Sequence, residues 1–388
     1  MRILFLAPQP FFQSRGTPIA ARSLLDFLAE QGHDVDVLTY FEGQDPAIPG
    51  VRVHRIPRIP GVRNVRPGFS WQKVVCDLVM LVTCLRMARR GKYELVHAIE
   101  ESVFMAALVK RFLRVPFVYD MDSSLADQLV EQKPGLRRLR GLLSACEGSA
   151  VRGSLGVLTV CRTLQETALA YDPAKLVAVV EDSSLVEPPA APVDSLRDIV
   201  GEGPLALYVG NLLPYQGIDL LLHGFVHTAK AVANAKLVLI GGAPHRIAHY
   251  EELARDLGID ARVRFLGPRP LTDLGGYLEQ ADVLVSPRIL GTNTPMKIYS
   301  YMDSGRAVLA TRLPTHTQIL DESVAMLADP SPEQFGAGLT RLFGDPNLRQ
   351  ILGRRAKHRV QQEFSAEAAR RKLLDFYGML ERELVQEA

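Results

Sequence analysis

The sequence predicts an α/β protein of two doubly wound parallel-sheet domains, on three observations. The first forty residues form a strand–helix–strand unit: Ile3 to Ala7 is an apolar run, Ile19 to Glu30 repeats apolar residues at helical spacing, Gly32 stops the helix, and Val35 to Thr39 is a β-branched run. Two strands joined through a helix run parallel, which calls for a sheet covered on both faces. The same alternation restarts after Pro204, behind the run EDSSLVEPPAAPVDSLRDIVGEGP, whose Pro, Ser and acids mark a linker. A length of 388 residues suits two such domains better than one core.

Taken in order, the first half continues with strands at Glu94 to Ala98, Phe117 to Asp120, Gly156 to Val160 and Leu176 to Val180, with helical segments between most of them. The second half has strands at Leu205 to Val209, Lys236 to Ile240, Val263 to Leu266, Val283 to Val285, Ala307 to Ala310 and Val324 to Leu327. The stretch Ala281 to Thr311 is the most informative. After its first strand, Thr294 is placed to cap a helix with Pro295 at its first position; Ile298, Tyr301 and Met302 recur at helical spacing, and Gly305 ends it. Free N–H groups and the positive dipole end would then face the carboxyl end of a strand, a place for a phosphate. One more structural βα unit is the plainer alternative, but the polar run Gly291, Thr292, Asn293, Thr294 between Arg288 and Lys297 favours the phosphate. The chain closes with an amphipathic helix from Ser365 that puts Leu373, Leu374, Tyr377 and Leu380 on one face.

With 47% hydrophobic and 23% charged residues, the composition is that of a soluble globular protein, and the longest apolar helix, Val74 to Leu85, is interrupted by Asp77. The opening MRILFLAP lacks the basic head and cleavage site of a secretory signal, so a cytoplasmic protein is expected, peripheral at the inner face of the membrane if it meets one. Cys76, Cys84, Cys146 and Cys161 are widely spaced, as free thiols are. Neither half has G-x-G-x-x-G behind its first strand, and P-loop, G-x-S-x-G and H-E-x-x-H patterns are absent, which argues against dinucleotide dehydrogenases, P-loop NTPases and the common hydrolases.

Val51 to Lys92 carries Arg52, Arg55, Arg58, Arg63, Arg66, Lys73, Arg86, Arg89, Arg90 and Lys92 against the acid Asp77, in a chain of net charge +2. With Phe69 and Trp71 beside them, these cations suit an anionic membrane surface; a solvated loop and helix is the plainer reading, and stacking aromatics are too sparse for nucleic acid. Asp120 and Asp122 spell D-x-D, and His245 and His249 precede Glu251 and Glu252, but neither group has a convincing further ligand, so no metal is expected. His97 reads as a core histidine, and His316 as a residue able to approach the site.

The order and spacing of several phrases resemble the family 4 glycosyltransferases. They are the glycine loop at Gly16, QGHDVDVLT from Gln31, ELVHA from Glu94, LALYVGN from Leu205, QGIDLLL from Gln216, KLVLIGG from Lys236, VRFLG from Val263, and the Ala281 to Thr311 stretch. The resemblance implies a GT-B fold, two Rossmann-like domains facing across a cleft. Residues 1–185, with a crossing helix at 365–388, would bind the acceptor, and residues 186–364 the nucleotide-sugar donor. It implies transfer to a glycan or lipid-linked acceptor with retention at the anomeric carbon, with no obligatory metal and no cofactor.

Several positions depart from the family pattern. Where the family has an Arg and a Lys for the donor pyrophosphate, this chain has Asn211 and Gln216; where it has two glutamates, this chain has Thr292 and Ser300; and Asp122 stands at the place of a catalytic histidine. The resemblance thus points to a divergent subgroup lacking both donor-site glutamates. Its expected site comprises Asp122 for catalysis; Gly16, Asn211, Gln216, Arg288, Thr292, Asn293, Thr294, Lys297 and Ser300 for the donor; and Arg15 and Thr17 on the acceptor side. Two readings follow: an active enzyme whose site was rebuilt with polar residues, or a GT-B scaffold serving as a binding or partner subunit.

Overall fold

A computed structural model describes all residues except 13–15, 46, 64, 66–69, 133, 187–191, 292 and 388. The chain divides into two units, one of Met1–Glu181 with Arg370–Ala388 and one of Asp182–Ala369.

The first unit is a parallel sheet of β1 (Arg2–Ala7), β2 (Asp34–Thr39), β3 (Val51–Arg55), β4 (Leu95–Ile99), β5 (Phe117–Met121), β6 (Gly156–Thr159) and β7 (Val177–Val179), in the order β3-β2-β1-β4-β5-β6-β7. The central strands are buried along their length, as strands covered on both faces must be: every residue of β4, and Ile3 to Ala7 of β1, is shielded from water. The strand order reverses between β1 and β4. In the second unit β8 (Leu205–Val209), β9 (Lys236–Ile240), β10 (Val263–Gly267), β11 (Val283–Ser286), β12 (Ala307–Thr311) and β13 (Met326–Ala328) lie in the order β10-β9-β8-β11-β12-β13, reversing between β8 and β11. Among the described residues no helix is long and apolar enough to cross a membrane.

Three expectations need correction. The basic run from Val51 does not begin as a solvated loop, since VRVHR forms the edge strand β3, in register with β2 from Val35↔Val51 to Thr39↔Arg55. Three of its cations are spent within the fold. Arg52 pairs with Asp34 and Asp36, Arg55 with Asp45, and farther along Lys73 with Glu101. The last strand is β13 rather than Val324 to Leu327; Val324 is buried in the turn before it. In the Ala366–Glu387 helix, Leu373, Phe376, Tyr377 and Leu380 pack into the first unit's core while Leu374 is 43% exposed. The stripe passes through Phe376 because 373, 376, 377 and 380 keep the three- and four-residue steps that stay on one face. Gly156 makes room for it: a Cβ there would lie 2.9 Å from the Phe376 ring.

Asp36 is the polar hub of this unit. Its carboxylate, 3% exposed, accepts from Arg52 Nε (2.8 Å) and Tyr93 Oη (2.9 Å) and meets His54 Nε2 at 2.8 Å. Burial alone would raise its pKa, but these hydrogen bonds outweigh it and hold the carboxyl far below the usual range. A depressed carboxyl pKa gives stability that is complete above the unfolded value of about 3.9 and disappears as pH falls through and below it. Asp36→Ala is therefore expected to cost about 3 kcal/mol at neutral pH, as when one partner of a buried pair is removed. The gap between wild type and variant should hold at neutral pH and begin to narrow below about pH 4; thermal melting from pH 7 down to pH 3 checks both.

Candidate functional site

Where the strand order of a parallel α/β sheet reverses, two loops leave the carboxyl ends side by side, and ligands bind there. In the second unit these are the segments after β8 and after β11, and they converge on Lys297. The Lys297 ammonium donates to Gln216 Oε1 at 3.0 Å and stands 3.9 Å from the centroid of the Tyr208 ring. It pairs with no carboxylate among the described residues. Desolvation first, and then the nearby Arg288 guanidinium, push it well below the usual lysine range. Backbone geometry accommodates it: Gly210, at φ 151°, would with a Cβ come 3.0 Å from Lys297 Nζ, and Gly217, at φ 71°, would meet the Pro287 carbonyl at 2.0 Å.

Arg288 is the second cation. It is 8% exposed, donates from Nε to the Leu290 carbonyl (2.7 Å) and from Nη2 to Asn293 Oδ1 (2.9 Å), and lies 5.3 Å from the Tyr215 ring centroid. Its loop is pinned from behind. Thr311 Oγ1 donates to the Arg288 carbonyl at 2.5 Å, and Thr315 Oγ1 to the Asn293 carbonyl at 2.8 Å. His316 is fully buried: its Nδ1 meets the Thr311 carbonyl and its Nε2 the Ser286 hydroxyl, both at 2.9 Å. Burial pushes its pKa down to about 3, so it is a neutral brace and not a group that approaches a ligand.

The other expected donor residues fall unevenly. Asn211 lies beside this group, its Nδ2 3.4 Å from the Tyr215 hydroxyl. Thr294 is buried, its Oγ1 has no partner, and it caps no helix: the helix is Lys297–Asp303, because Pro295 and Met296 form a turn whose carbonyls take the N–H groups of Ile298 and Tyr299. The expected set of free N–H groups is thus partly used up. Ser300 is also buried, its hydroxyl accepting the Leu185 N–H at 3.0 Å, so it ties down the linker end. Thr292 lies outside the described residues. Tyr208 and Tyr215 were missed; a tyrosine near a loop cation has no distinctive spacing.

In the first unit Asp122 follows β5 directly. The segment after it is anchored on buried Glu147, whose carboxylate accepts from Leu125 N (2.7 Å), Ser124 Oγ (3.0 Å) and Tyr171 Oη (3.1 Å). Gly16 opens the Gly16–Glu30 helix, three residues earlier than Ile19, and Thr17 is half-buried in its first turn; Arg15 lies outside the described residues. Glu100, unnoticed in the sequence, ends β4 in a left-handed conformation at φ 48°. Burial, reinforced by Glu101, raises its carboxyl to about 7. Asp120, His245 and His249 join no group of three or more ligands suited to a metal among the described residues.

Comparison with known proteins agrees with this architecture. Residues 15–181 match the family model "Glycosyl transferase 4-like domain", and residues 203–345 match "Glycosyl transferases group 1". The chain belongs to the GT-B glycosyltransferases. It is similar to the phosphatidyl-myo-inositol mannosyltransferase of Mycolicibacterium smegmatis, 22% identical over 93% of this chain and 90% of that one. Among solved structures it is similar to a sucrose-phosphate synthase from Thermosynechococcus elongatus, with a TM-score of 0.79, 20% identity and full coverage of both chains. It is also similar to the HepE protein of Anabaena in complex with UDP and glucose, with a TM-score of 0.73, 16% identity, and 98% and 100% coverage.

Because the Lys297 pKa is lowered on folding, this residue makes the second unit more stable as pH rises from its folded value towards about 10.4, the ordinary lysine pKa. Lys297→Met is expected to remove that dependence and to leave melting at neutral pH, without nucleotide, unchanged or higher. Melting curves of both proteins between pH 7 and 10 check this, and a Met variant that melts several degrees lower contradicts it.

Proposed function

We propose that the chain transfers a sugar from a nucleotide-sugar donor to a glycan or lipid-linked acceptor, with retention at the anomeric carbon and without a metal. The second unit holds the donor through its diphosphate and the first unit holds the acceptor. The observation that carries this reading is the Lys297–Gln216 contact. At position 216 the family resemblance leads one to expect a lysine for the pyrophosphate; here a lysine from a different helix delivers its ammonium to the glutamine at that place. The charge is relocated and not lost. A scaffold without a ligand gains nothing from a desolvated cation lacking a carboxylate, which favours the enzyme. Similarity to a protein solved with UDP and glucose supports a nucleotide sugar as the donor.

In this reading the bond from the anomeric carbon to the diphosphate breaks with its electron pair, and Lys297 and Arg288 stabilise the charge that gathers on the departing oxygen. Asn211 and Asn293 add neutral hydrogen bonds, and Asp122 faces the positive charge developing on the sugar. Lys297→Ala and Arg288→Ala are each expected to weaken nucleoside diphosphate binding by about 1 to 3 kcal/mol while nucleoside binding barely changes. Calorimetry with both ligands checks this, and equal losses for the two place the phosphates elsewhere. Asp122→Asn is expected to slow turnover about a hundredfold. Product NMR in EDTA should show the retained anomer; an inverted product, or activity restored only by manganese, contradicts the metal-free retaining reading.

A lipid-linked acceptor calls for a surface, and the first unit offers one on two helices, the first of them within the 51–92 run. The Trp71–Gly91 and Ser102–Leu113 helices, joined near their starts by the Lys73–Glu101 ion pair, expose Trp71, Leu78 and Val82 on one and Phe104, Leu108 and Phe112 on the other. Their ends carry exposed Arg86, Arg89 and Arg90, and Lys110, Arg111 and Arg114. An apolar stripe edged by cations fits an anionic bilayer, which would place the chain at the inner face of the membrane. Co-sedimentation with phosphatidylglycerol vesicles should be strong at low salt, weaken at high salt, and fall for the double variant Leu78→Ser, Phe112→Ser; recovery in the supernatant at low salt contradicts the surface.

A further inference from the structure

The first unit contains a hydrogen-bonded chain that the donor site does not use. His97, in the middle of β4, is fully buried and lies flat against the Phe5 ring at 4.8 Å. Its Nδ1 meets the Tyr377 hydroxyl of the C-terminal helix at 2.8 Å, and its Nε2 meets Asp120 Oδ2 at 3.1 Å. An ionised carboxylate only accepts, so Nε2 carries the proton and Nδ1 accepts from Tyr377. The donors therefore run in one direction, from Tyr377 through His97 to Asp120.

Tyr377 and His97 enter a largely apolar cluster that includes Phe5, Phe27, Val118, Phe376 and Leu380, with His33 at its edge beside Tyr377. Apolar side chains of like size would pack there with no polar group to desolvate, so stability alone explains the network poorly. Its effect is to fix Asp120. That carboxylate is 15% exposed, and its Oδ1 takes no hydrogen bond from the described residues. It sits at the carboxyl end of β5, in register with Ile99, one strand from the reversal between β1 and β4 where such sheets take ligands. The Glu100 N–H donates to the Asp120 carbonyl at 2.9 Å and fixes the backbone at the same point.

We propose that Asp120 receives the acceptor hydroxyl, accepting its O–H on Oδ1, and that His97 and Tyr377 are its positioning residues. The proposal rests on the glycosyl-transfer reading above. In the transfer the acceptor oxygen bonds the anomeric carbon, the bond from that carbon to the diphosphate breaks with its electron pair, and the acceptor proton ends on the departing diphosphate oxygen. Asp120 stays ionised throughout and acts by orientation. The C-terminal helix is thus part of the acceptor site. With the Glu100 carboxyl close by, that site favours an uncharged sugar or polyol hydroxyl.

The test uses the full chain with UDP-glucose, and with other UDP- and GDP-hexoses if that donor is not used, offered glycans and phosphatidylinositol vesicles as acceptors. It measures sugar transferred to the acceptor and donor lost to water. Asp120→Asn is expected to cut transfer about a hundredfold with nucleoside diphosphate affinity unchanged. Tyr377→Phe, which keeps the ring and removes one hydroxyl, is expected to cut transfer about threefold to tenfold and to raise the share of donor lost to water, beside the modest loss of melting that an unpaired His97 Nδ1 brings. Variants Tyr377→Phe and His97→Gln that melt earlier but keep the wild-type ratio of transfer to hydrolysis make the network structural and overturn the proposal. A wild type that transfers sugar alongside an equally active Asp120→Asn overturns the assignment alone, whereas a wild type that transfers from no donor removes the glycosyl-transfer reading and the assignment with it.

Discussion

A lysine ammonium drawn partly out of water, with no carboxylate among the described residues to meet it, is the constraint around which the second unit is arranged. Gly210 has no side chain where one would press on Lys297 Nζ, Gln216 turns an amide oxygen towards it, and Tyr208 offers the negative face of its ring. These contacts soften the cost of desolvation without cancelling it. Arg288 adds a second cation instead of compensating the first, and the buried neutral state of His316 prevents a third. In the proposed function an anion arriving beside Lys297 favours its charged form and offsets the desolvation.

The two units use the same topological position with opposite sign. Beside the β8–β11 reversal the prominent groups are Lys297 and Arg288; beside the β1–β4 reversal they are Glu100, Glu101 and, one strand on, Asp120 and Asp122. A negatively charged donor and a hydroxyl-bearing acceptor need these opposite fields. In the proposed function this polarity matches a donor on the second unit and an acceptor on the first, which the GT-B architecture allows but does not impose.

Much of the fold was legible because buried parallel strands are continuous apolar runs, and the strands around both reversals read directly as such. The edge strand β3 was not, since VRVHR alternates valine with charge and looks like solvated chain until Asp34 and Asp36 are placed beside it. Local signals failed where tertiary contacts overruled them. Thr294 and Pro295 look like a helix start, yet the chain turns once more before the helix begins at Lys297. Arg288 and Lys297 stood out as loop cations in a polar stretch, but their partners lie far along the sequence: Gln216 is 81 residues from Lys297, and no spacing rule joins them. The Tyr377–His97 contact spans 280 residues and was equally invisible, although both residues had been noticed separately as core-facing.

The helix that supplies Tyr377 also fixes an order of assembly. A nascent chain emerges from its N-terminus, and domains fold as units during synthesis once their residues are available. The second unit is one continuous segment, Asp182–Ala369, and can close as soon as that segment is out. The first unit begins earlier but lacks Phe376, Tyr377 and Leu380 until the second unit has been made, so the part of its apolar face that they cover, with Gly156 against Phe376, stays open to water through the synthesis of its neighbour. The part of the protein that starts first is therefore the last to finish, and a ribosome stalled within the second unit holds a chain with an exposed sticky sheet, the kind of intermediate that chaperones capture.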